Sequence, residues 1–178
     1  SAFDPETGIL YVPSRTQLQV LALAKNPDSD IDLSQGFGVR APRVQGLQIV
    51  KPPYGRVTAI DMNSGDHVWM IANADTPDNI KNHPLLEGID IPRTGIPTRA
   101  GVLLTKTLLF IAEGTGGAGA SPIFRAVDKA TGDIVAEIEL PANQGGIPFT
   151  YEHAGKQYVA MFITSGSSAA ELVAYALP

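Results

Sequence analysis

One phrase occurs twice in this chain, 67 residues apart, and it narrows the possible folds more than any other feature. Ala59-Ile60-Asp61-Met62-Asn63-Ser64-Gly65-Asp66-His67-Val68-Trp69 returns as Ala126-Val127-Asp128-Lys129-Ala130-Thr131-Gly132-Asp133-Ile134-Val135-Ala136. Seven of the eleven positions agree in identity or close chemistry: Ala, aliphatic, Asp, Ser/Thr, Gly, Asp and Val. The heart of the phrase, Asp-x-x-Ser/Thr-Gly, occurs a third time at Asp4-Pro5-Glu6-Thr7-Gly8. Repetition at a long fixed period marks an architecture built by stacking one supersecondary unit on copies of itself.

The chemistry of the phrase says which unit. Arg56-Val57-Thr58-Ala59-Ile60 alternates and is rich in β-branched residues, so it reads as a strand. Asp61 can accept from a backbone N–H two residues on, and Gly65 supplies a positive φ without a Cβ clash. The chain then reverses into a second strand, His67-Val68-Trp69-Met70-Ile71. No helix fits between the two, so a Rossmann-like or other α/β repeat is excluded. A β-hairpin repeated within a larger sheet unit is the pattern of a propeller blade.

Composition agrees. The chain has 178 residues, 18 of them Gly and 14 Pro, with 44% hydrophobic residues, which suits many short strands joined by turns. Charged residues make up 17% and the net charge is −5, so nucleic acid is not an expected partner. The longest apolar run, Gly101 to Ala112, is interrupted by Lys106 and is too short to span a bilayer. The absence of Cys excludes disulfides and thiolate metal sites. There is no initiator Met, and an excised or processed piece of a longer protein is expected.

The fold expected is all-β: a partial propeller of four-stranded antiparallel blades forming a single domain over residues 1–178. Its blade-like units fall at about 1–75, 98–140 and 147–178. Early strands are expected at Ile9 to Val12 and Leu18 to Leu23, followed by an irregular excursion from Asn26 to Gly46. Leu47 to Val50 and the first repeat hairpin complete that unit. A short helix is expected after Pro77, ending before Pro84. The second unit holds strands at Gly101 to Leu104, Thr107 to Ala112, Phe124 to Asp128 and Ile134 to Leu140. The third has Pro148 to Tyr151, Gln157 to Thr164 and Glu171 to Leu177, one strand short of a full blade. Closed propellers often take such a missing strand from the other terminus.

These residues carry a family resemblance. The repeat phrase is similar to the tryptophan-docking repeat of quinoprotein dehydrogenases, eight-bladed propellers that use pyrroloquinoline quinone. Lys51-Pro52-Pro53-Tyr54-Gly55, Gly95-Ile96-Pro97, Phe124-Arg125-Ala126-Val127-Asp128, Leu140-Pro141-Ala142, Pro148-Phe149-Thr150-Tyr151-Glu152 and Gly155-Lys156-Gln157-Tyr158-Val159 follow the order of the last blades of glucose dehydrogenase-like members. Val173-Ala174-Tyr175-Ala176-Leu177-Pro178 resembles that family's end. The resemblance implies structural docking by Asp61, Gly65, Trp69, Asp128 and Gly132, with Ala136 where a second docking tryptophan would stand. It implies quinone and calcium in a periplasmic parent sugar or alcohol dehydrogenase, with the remaining blades of that chain as partners.

It also implies that most of the chemistry lies elsewhere. In the family the catalytic Asp and the calcium ligands lie mainly in earlier blades, so no catalytic or metal residue is assigned, and neither turnover nor a bound cofactor is expected of this segment alone. Ser165-Gly166-Ser167-Ser168 stands where the family has Gly-Gly-His, and the loop Gly114-Thr115-Gly116-Gly117-Ala118-Gly119 replaces a family Asp. The candidates for cofactor contact are therefore Arg99, Thr115, Gly116, Ser165, Gly166 and Ser167. Arg93, Arg99 and Arg125 could each take a carboxylate of an anionic quinone in bidentate fashion, or pair with blade acids such as Asp61 or Asp128. The alternative reading of the chain is a non-catalytic propeller-repeat scaffold that binds proteins or peptides. An open blade edge would also allow self-association.

The remaining motifs have bland readings. Gly114, Gly116 and Gly119 satisfy G-x-G-x-x-G, but Ser121-Pro122 leads into a strand instead of the helix that phosphate binding requires. Asp28, Asp30 and Asp32 imitate the start of a calcium loop whose Gly and Glu positions hold Leu33 and Val39. His67, His83 and His153 have no metal-ligand spacing, and Ser14, Ser121 and Ser165 lack a nucleophile elbow.

Overall fold

Three antiparallel sheets follow one another along the chain in a computed structural model that describes residues 1–25, 27–36, 40–115, 119–164 and 169–176. The first sheet has the order β1 (Ala2–Asp4), β2 (Ile9–Arg15), β7 (Gly55–Asp61), β8 (His67–Ala72). Between β2 and β7 the excursion carries two small ladders, β3 (Ala22–Ala24) with β4 (Ser34–Gly36) and β5 (Arg43–Val44) with β6 (Leu47–Gln48). After β8 come α1 (Asp78–Lys81) and a single 3-10 turn at Pro84–Leu86. The second sheet is a plain meander of β9 (Val102–Leu104), β10 (Leu108–Ala112), β11 (Ile123–Asp128) and β12 (Ile134–Glu139). The third centres on β15 (Lys156–Thr164), with β16 (Glu171–Ala176) on one edge and β14 (Phe149–His153) with β13 (Asn143–Gln144) on the other.

This is the all-β, four-stranded-blade fold expected from the repeat, with four differences. The third sheet has a fourth strand beyond the three expected: β13, two residues too short to read from the sequence, pairs Asn143 and Gln144 with Thr164 and Ile163 of β15, in line with β14 on the same edge. One edge strand of the first sheet is β1, which pairs Ala2 to Asp4 with Tyr11 to Ile9; its three residues are too short for a periodic signal. The expected strand at Leu18 to Leu23 is a single short ladder element, Ala22–Ala24, and the one at Leu47 to Val50 shrinks to Leu47–Gln48; both belong to the excursion, not to the blade. Leu21 and Leu23 are 68% and 73% exposed, so apolar content there reflects no core face.

The pleat of β10 shows how the sheets stack. Leu109 and Ile111 point to one side and join Tyr11, Val57, Ala59, Val102 and Val127 in a core between the first and second sheets. Phe110 and Ala112 point to the other side and join Phe124, Leu140, Val159, Met161 and Ile163 between the second and third. A sheet buried on both faces must carry apolar residues at successive positions, and Leu108-Leu109-Phe110-Ile111-Ala112 does so. The outer face of the third sheet has no such cover among the described residues: Phe149, Tyr151, Phe162 and Leu172 are each more than 40% exposed.

Candidate functional site

Antiparallel strands place their connections alternately at the two ends of the sheets, and the ends differ in chemistry. At the hairpin end lie the turns of the repeat. In the first copy Asp61 Oδ1 accepts from Asn63 N at 2.7 Å, Gly65 N donates to Asp61 O at 2.7 Å, and Gly65 has φ +82°. In the second Asp128 Oδ1 accepts from Ala130 N at 2.8 Å, Gly132 N donates to Asp128 O at 2.9 Å, and Gly132 has φ +84°. The aspartate closes each turn and the glycine takes the left-handed position that a Cβ would strain.

Trp69 crosses from the first sheet to the second at this end. Its Nε1 donates to Lys129 O at 3.0 Å, its ring lies 5.7 Å from that of Tyr11, and it covers Gly132 so closely that a Cβ there would sit 2.9 Å from the indole. The tryptophan is half-buried, not enclosed. Nothing among the described residues lies within 4 Å of the corresponding position on Gly65. Lys129, which the sequence reading passed over, is the hub of this contact. Its carbonyl also accepts from the Tyr11 hydroxyl at 3.1 Å, and its ammonium reaches Asp4 Oδ2 at 2.5 Å. The Lys129 ammonium and the Thr7 hydroxyl together hold the Asp4 carboxyl down at about 2. The third copy of the phrase, Asp4 to Gly8, is thus tied to the second repeat by charge.

The opposite, link end carries the connections 16–54, 73–101 and 113–122, and here the arginines gather. An alternating chain of charges runs Asp75, Arg93, Glu137, Arg125, Glu113, with nearest N···O separations of 2.5, 3.8, 2.5 and 2.9 Å. Arg125 and Glu113 are 3% and 2% exposed, and Glu113 also accepts from Ser121 N at 2.7 Å. Burial pushes the Asp75 carboxyl up, but the hydrogen bond and charge of Arg93 outweigh it and leave the group below its ordinary value. The expected pairing of Arg93 and Arg125 with Asp61 or Asp128 is therefore replaced: those aspartates lie at the hairpin end, while Asp75 takes Arg93 and Glu113 and Glu137 take Arg125.

Beside this network, between the first and second sheets, is a cavity of about 220 Å³ lined by Ser14, Arg15, Arg56, Asn73, Thr98 and Arg99 among others. Backbone packs closely against backbone at two of its lining residues: a Cβ on Gly55 would strike Ile96 O, and Arg99 O would be struck by a Cβ on Gly114. Arg56 Nη1 donates to Thr16 Oγ1 at 2.5 Å and Pro53 O at 3.1 Å, while Arg15 and Arg99 are exposed. Asn73 is 5% exposed; its Nδ2 donates to Ala112 O at 3.3 Å and its Oδ1 has no partner among the described residues. Nothing in the sequence singled out Asn73, because a lone Asn after a strand reads as a turn residue.

Of the six candidates for cofactor contact, Arg99 and Thr115 come together: they form an isolated antiparallel bridge, with Arg99 N donating to Thr115 O at 2.8 Å. Gly116, Ser165, Gly166 and Ser167 lie outside the described residues. Among the described residues no group of three or more His, Cys, Asp or Glu is placed to hold a metal ion, and no helix is long and apolar enough to cross a membrane. His83 caps the 3-10 turn, its Nδ1 accepting from Leu85 N at 3.2 Å, and His67 and His153 are exposed.

Residues 1–159 match the protein family described as the glucose/ethanol/alcohol dehydrogenase β-propeller domain, PQQ. The glycerol dehydrogenase large subunit of Gluconobacter thailandicus is 35% identical over 145 residues, which are 75% of this chain and 18% of that protein. The quinoprotein glucose dehydrogenase of Gluconobacter oxydans is 29% identical over 148 residues, 80% of this chain and 17% of that one. The chain therefore spans less than a fifth of the length of these relatives. Among solved structures, a europium-containing methanol dehydrogenase superposes with a TM-score of 0.53 at 20% identity, covering 91% of this chain and 23% of that one. A quinohemoprotein alcohol dehydrogenase from Pseudomonas putida superposes with a TM-score of 0.52 at 17% identity, covering 93% and 21%. At these identities the two superpositions speak for the fold.

Proposed function

The chain belongs to the pyrroloquinoline-quinone family of glucose/ethanol/alcohol dehydrogenase β-propeller domains, and from that premise we propose that it supplies propeller blades to a quinone-dependent sugar or alcohol dehydrogenase. Its part is scaffolding around the quinone site. The observation that carries this reading is the match over residues 1–159 in a chain whose successive sheets dock through Trp69 onto the turn at Lys129 and Gly132. The remaining blades of a complete propeller are its proposed partners, and the periplasm its proposed compartment. Calcium is the metal proposed for the parent enzyme.

The described residues do not by themselves fit the cofactor. A flat tricyclic quinone needs its ring faces covered and its carboxylates paired, and the arginine-lined cavity has no aromatic side chain in its walls. No described cluster of acids could hold the cation beside it. Proton abstraction and hydride transfer are accordingly assigned to no residue of this chain.

The test is dye reduction with sugars and alcohols in the presence of added quinone and calcium. The 178-residue chain alone is expected to show none, and the same chain joined to a complete propeller is expected to turn over. Turnover by the isolated chain would mean that catalytic groups had been misplaced. A quinone-independent protein that captures a peptide partner would favour the scaffold reading instead.

A further inference from the structure

The two repeats differ at one position whose consequence is open space. In the first sheet the cross-strand pairs Tyr11–Ala59 and Ala59–Trp69 put three side chains in one row on one face. In the second sheet the pairs Phe110–Ala126 and Ala126–Ala136 form the same row. The register slips at the same place in both, after Ala59 and after Ala126. Phe110 thus stands where Tyr11 stands, and Ala136 where Trp69 stands. In the first row the indole fills the step between sheets, 5.7 Å from the Tyr11 ring. In the second a methyl group takes its place.

A cavity of about 390 Å³ lies there, lined by Phe110, Ala126, Ala136, Ile138, Val159 and Tyr175 among others. It exceeds the ~150 Å³ of an apolar cavity that stays dry and holds benzene. Glu137 and Tyr175 are the only polar residues in its walls. A charged guest would lose its hydration with no arginine or lysine there to replace it. Phe110 and Phe124, which also lines the cavity, stack with 5.7 Å between centroids, so the walls present aromatic rings to a guest. Val135 and Ile138 are 56% and 41% exposed, which leaves the cavity open to solvent on that side.

We propose that this cavity binds a small, uncharged, planar aromatic molecule of indole size, seated where Trp69 sits one repeat earlier. Phe110 and Phe124 meet its ring, Ala126 and Ala136 leave it room, and Ile138 and Val159 supply apolar walls. The site stands whether or not the quinone reading holds, since it needs only the strand register and the residues named.

Fluorine NMR of fluoroindole in the presence of the intact protein tests it. Fluoroindole should bind with a Kd of about 1 mM or tighter. Indole should displace it, and cyclohexanol, which is apolar but not flat, should need a roughly tenfold higher concentration to do so. Ala136→Trp should fill the cavity from within, weakening fluoroindole by at least about tenfold and raising the thermal midpoint by roughly 2–4 °C. Ile138→Asp, at an exposed position that does not threaten folding, should weaken fluoroindole by about tenfold, while Val68→Ala, outside the cavity, leaves it unchanged. Absence of fluoroindole binding overturns the proposal, as does binding that survives Ala136→Trp or Ile138→Asp, or displacement by cyclohexanol as readily as by indole. A stabilised Ala136→Trp variant of a protein that takes no free ring would give the cavity to an aromatic side chain of a partner, and would overturn the small-molecule reading as well.

Discussion

Removing Trp69 should loosen the first sheet from the second, and the cost can be worked from what the indole touches. A tryptophan can bury 150–250 Å²; half-buried against Tyr11 and Gly132, Trp69 removes about 100–150 Å² from water, worth about 2.5–4 kcal/mol at ~25 cal/mol per Å². Its hydrogen bond to Lys129 O adds about 1 kcal/mol. Partial burial in the unfolded chain reduces the total, so Trp69→Ala is expected to cost about 3–4 kcal/mol. Trp69→Phe, which keeps a ring and loses the donor, should cost roughly 1–2 kcal/mol. Gly132→Ala must both strain a φ of +84° and meet the indole, whereas Gly65→Ala meets only the φ of +82°. Gly65→Ala should therefore cost about 1 kcal/mol, Gly132→Ala clearly more, and the excess should vanish in a Trp69→Ala background. Urea denaturation followed by circular dichroism gives all five numbers. A Trp69→Ala midpoint equal to wild type, or equal costs at the two glycines, would refute the docking geometry.

Asp4 should set part of the acid limb of stability. Its folded carboxyl is lowered to about 2 by Lys129 and Thr7, so its contribution is present above about pH 4 and fades as pH falls toward 2; the gap between wild type and Asp4→Asn in urea midpoints should shrink over that interval, and a gap independent of pH would contradict the pairing. Arg125→Met leaves Glu113 buried without its partner and should cost about 3–5 kcal/mol, with the Arg125→Met, Glu113→Gln double variant costing less than the sum of the singles in thermal melts. The isolated chain should self-associate through β16, whose outer edge is unpaired among the described residues, and through the apolar face bearing Phe149, Tyr151 and Phe162. Light scattering that showed a clean monomer at micromolar concentration would go against it.

The sequence was most legible where one chemistry repeats. Asp61 with Gly65 and Asp128 with Gly132 announce their turns because a carboxylate acceptor and a left-handed glycine are needed at that spacing whatever surrounds them. The strands of the second sheet were equally plain, since a run apolar on both faces has few other homes. Three residues of β1 carry no period, and Leu18 to Leu23 mimicked a strand because alternation alone does not reveal whether a partner sheet exists to cover it. The link end was the least legible part. Its arginines could be seen, but their partners depend on which strands the topology brings side by side: Glu113 and Glu137 flank Arg125 only because β10, β11 and β12 are neighbours. Lys129 and Asn73 act through a backbone carbonyl and an amide oxygen, and such roles leave no pattern in residue types.

The most direct measurement is turnover as a function of added quinone in a protein that holds these residues within a complete propeller. Membership of the quinoprotein family predicts no dye reduction by the quinone-free protein and a saturable rise as pyrroloquinoline quinone is titrated in. Sugar or alcohol oxidation that needs no quinone, or none at saturating quinone in a folded protein, would contradict it.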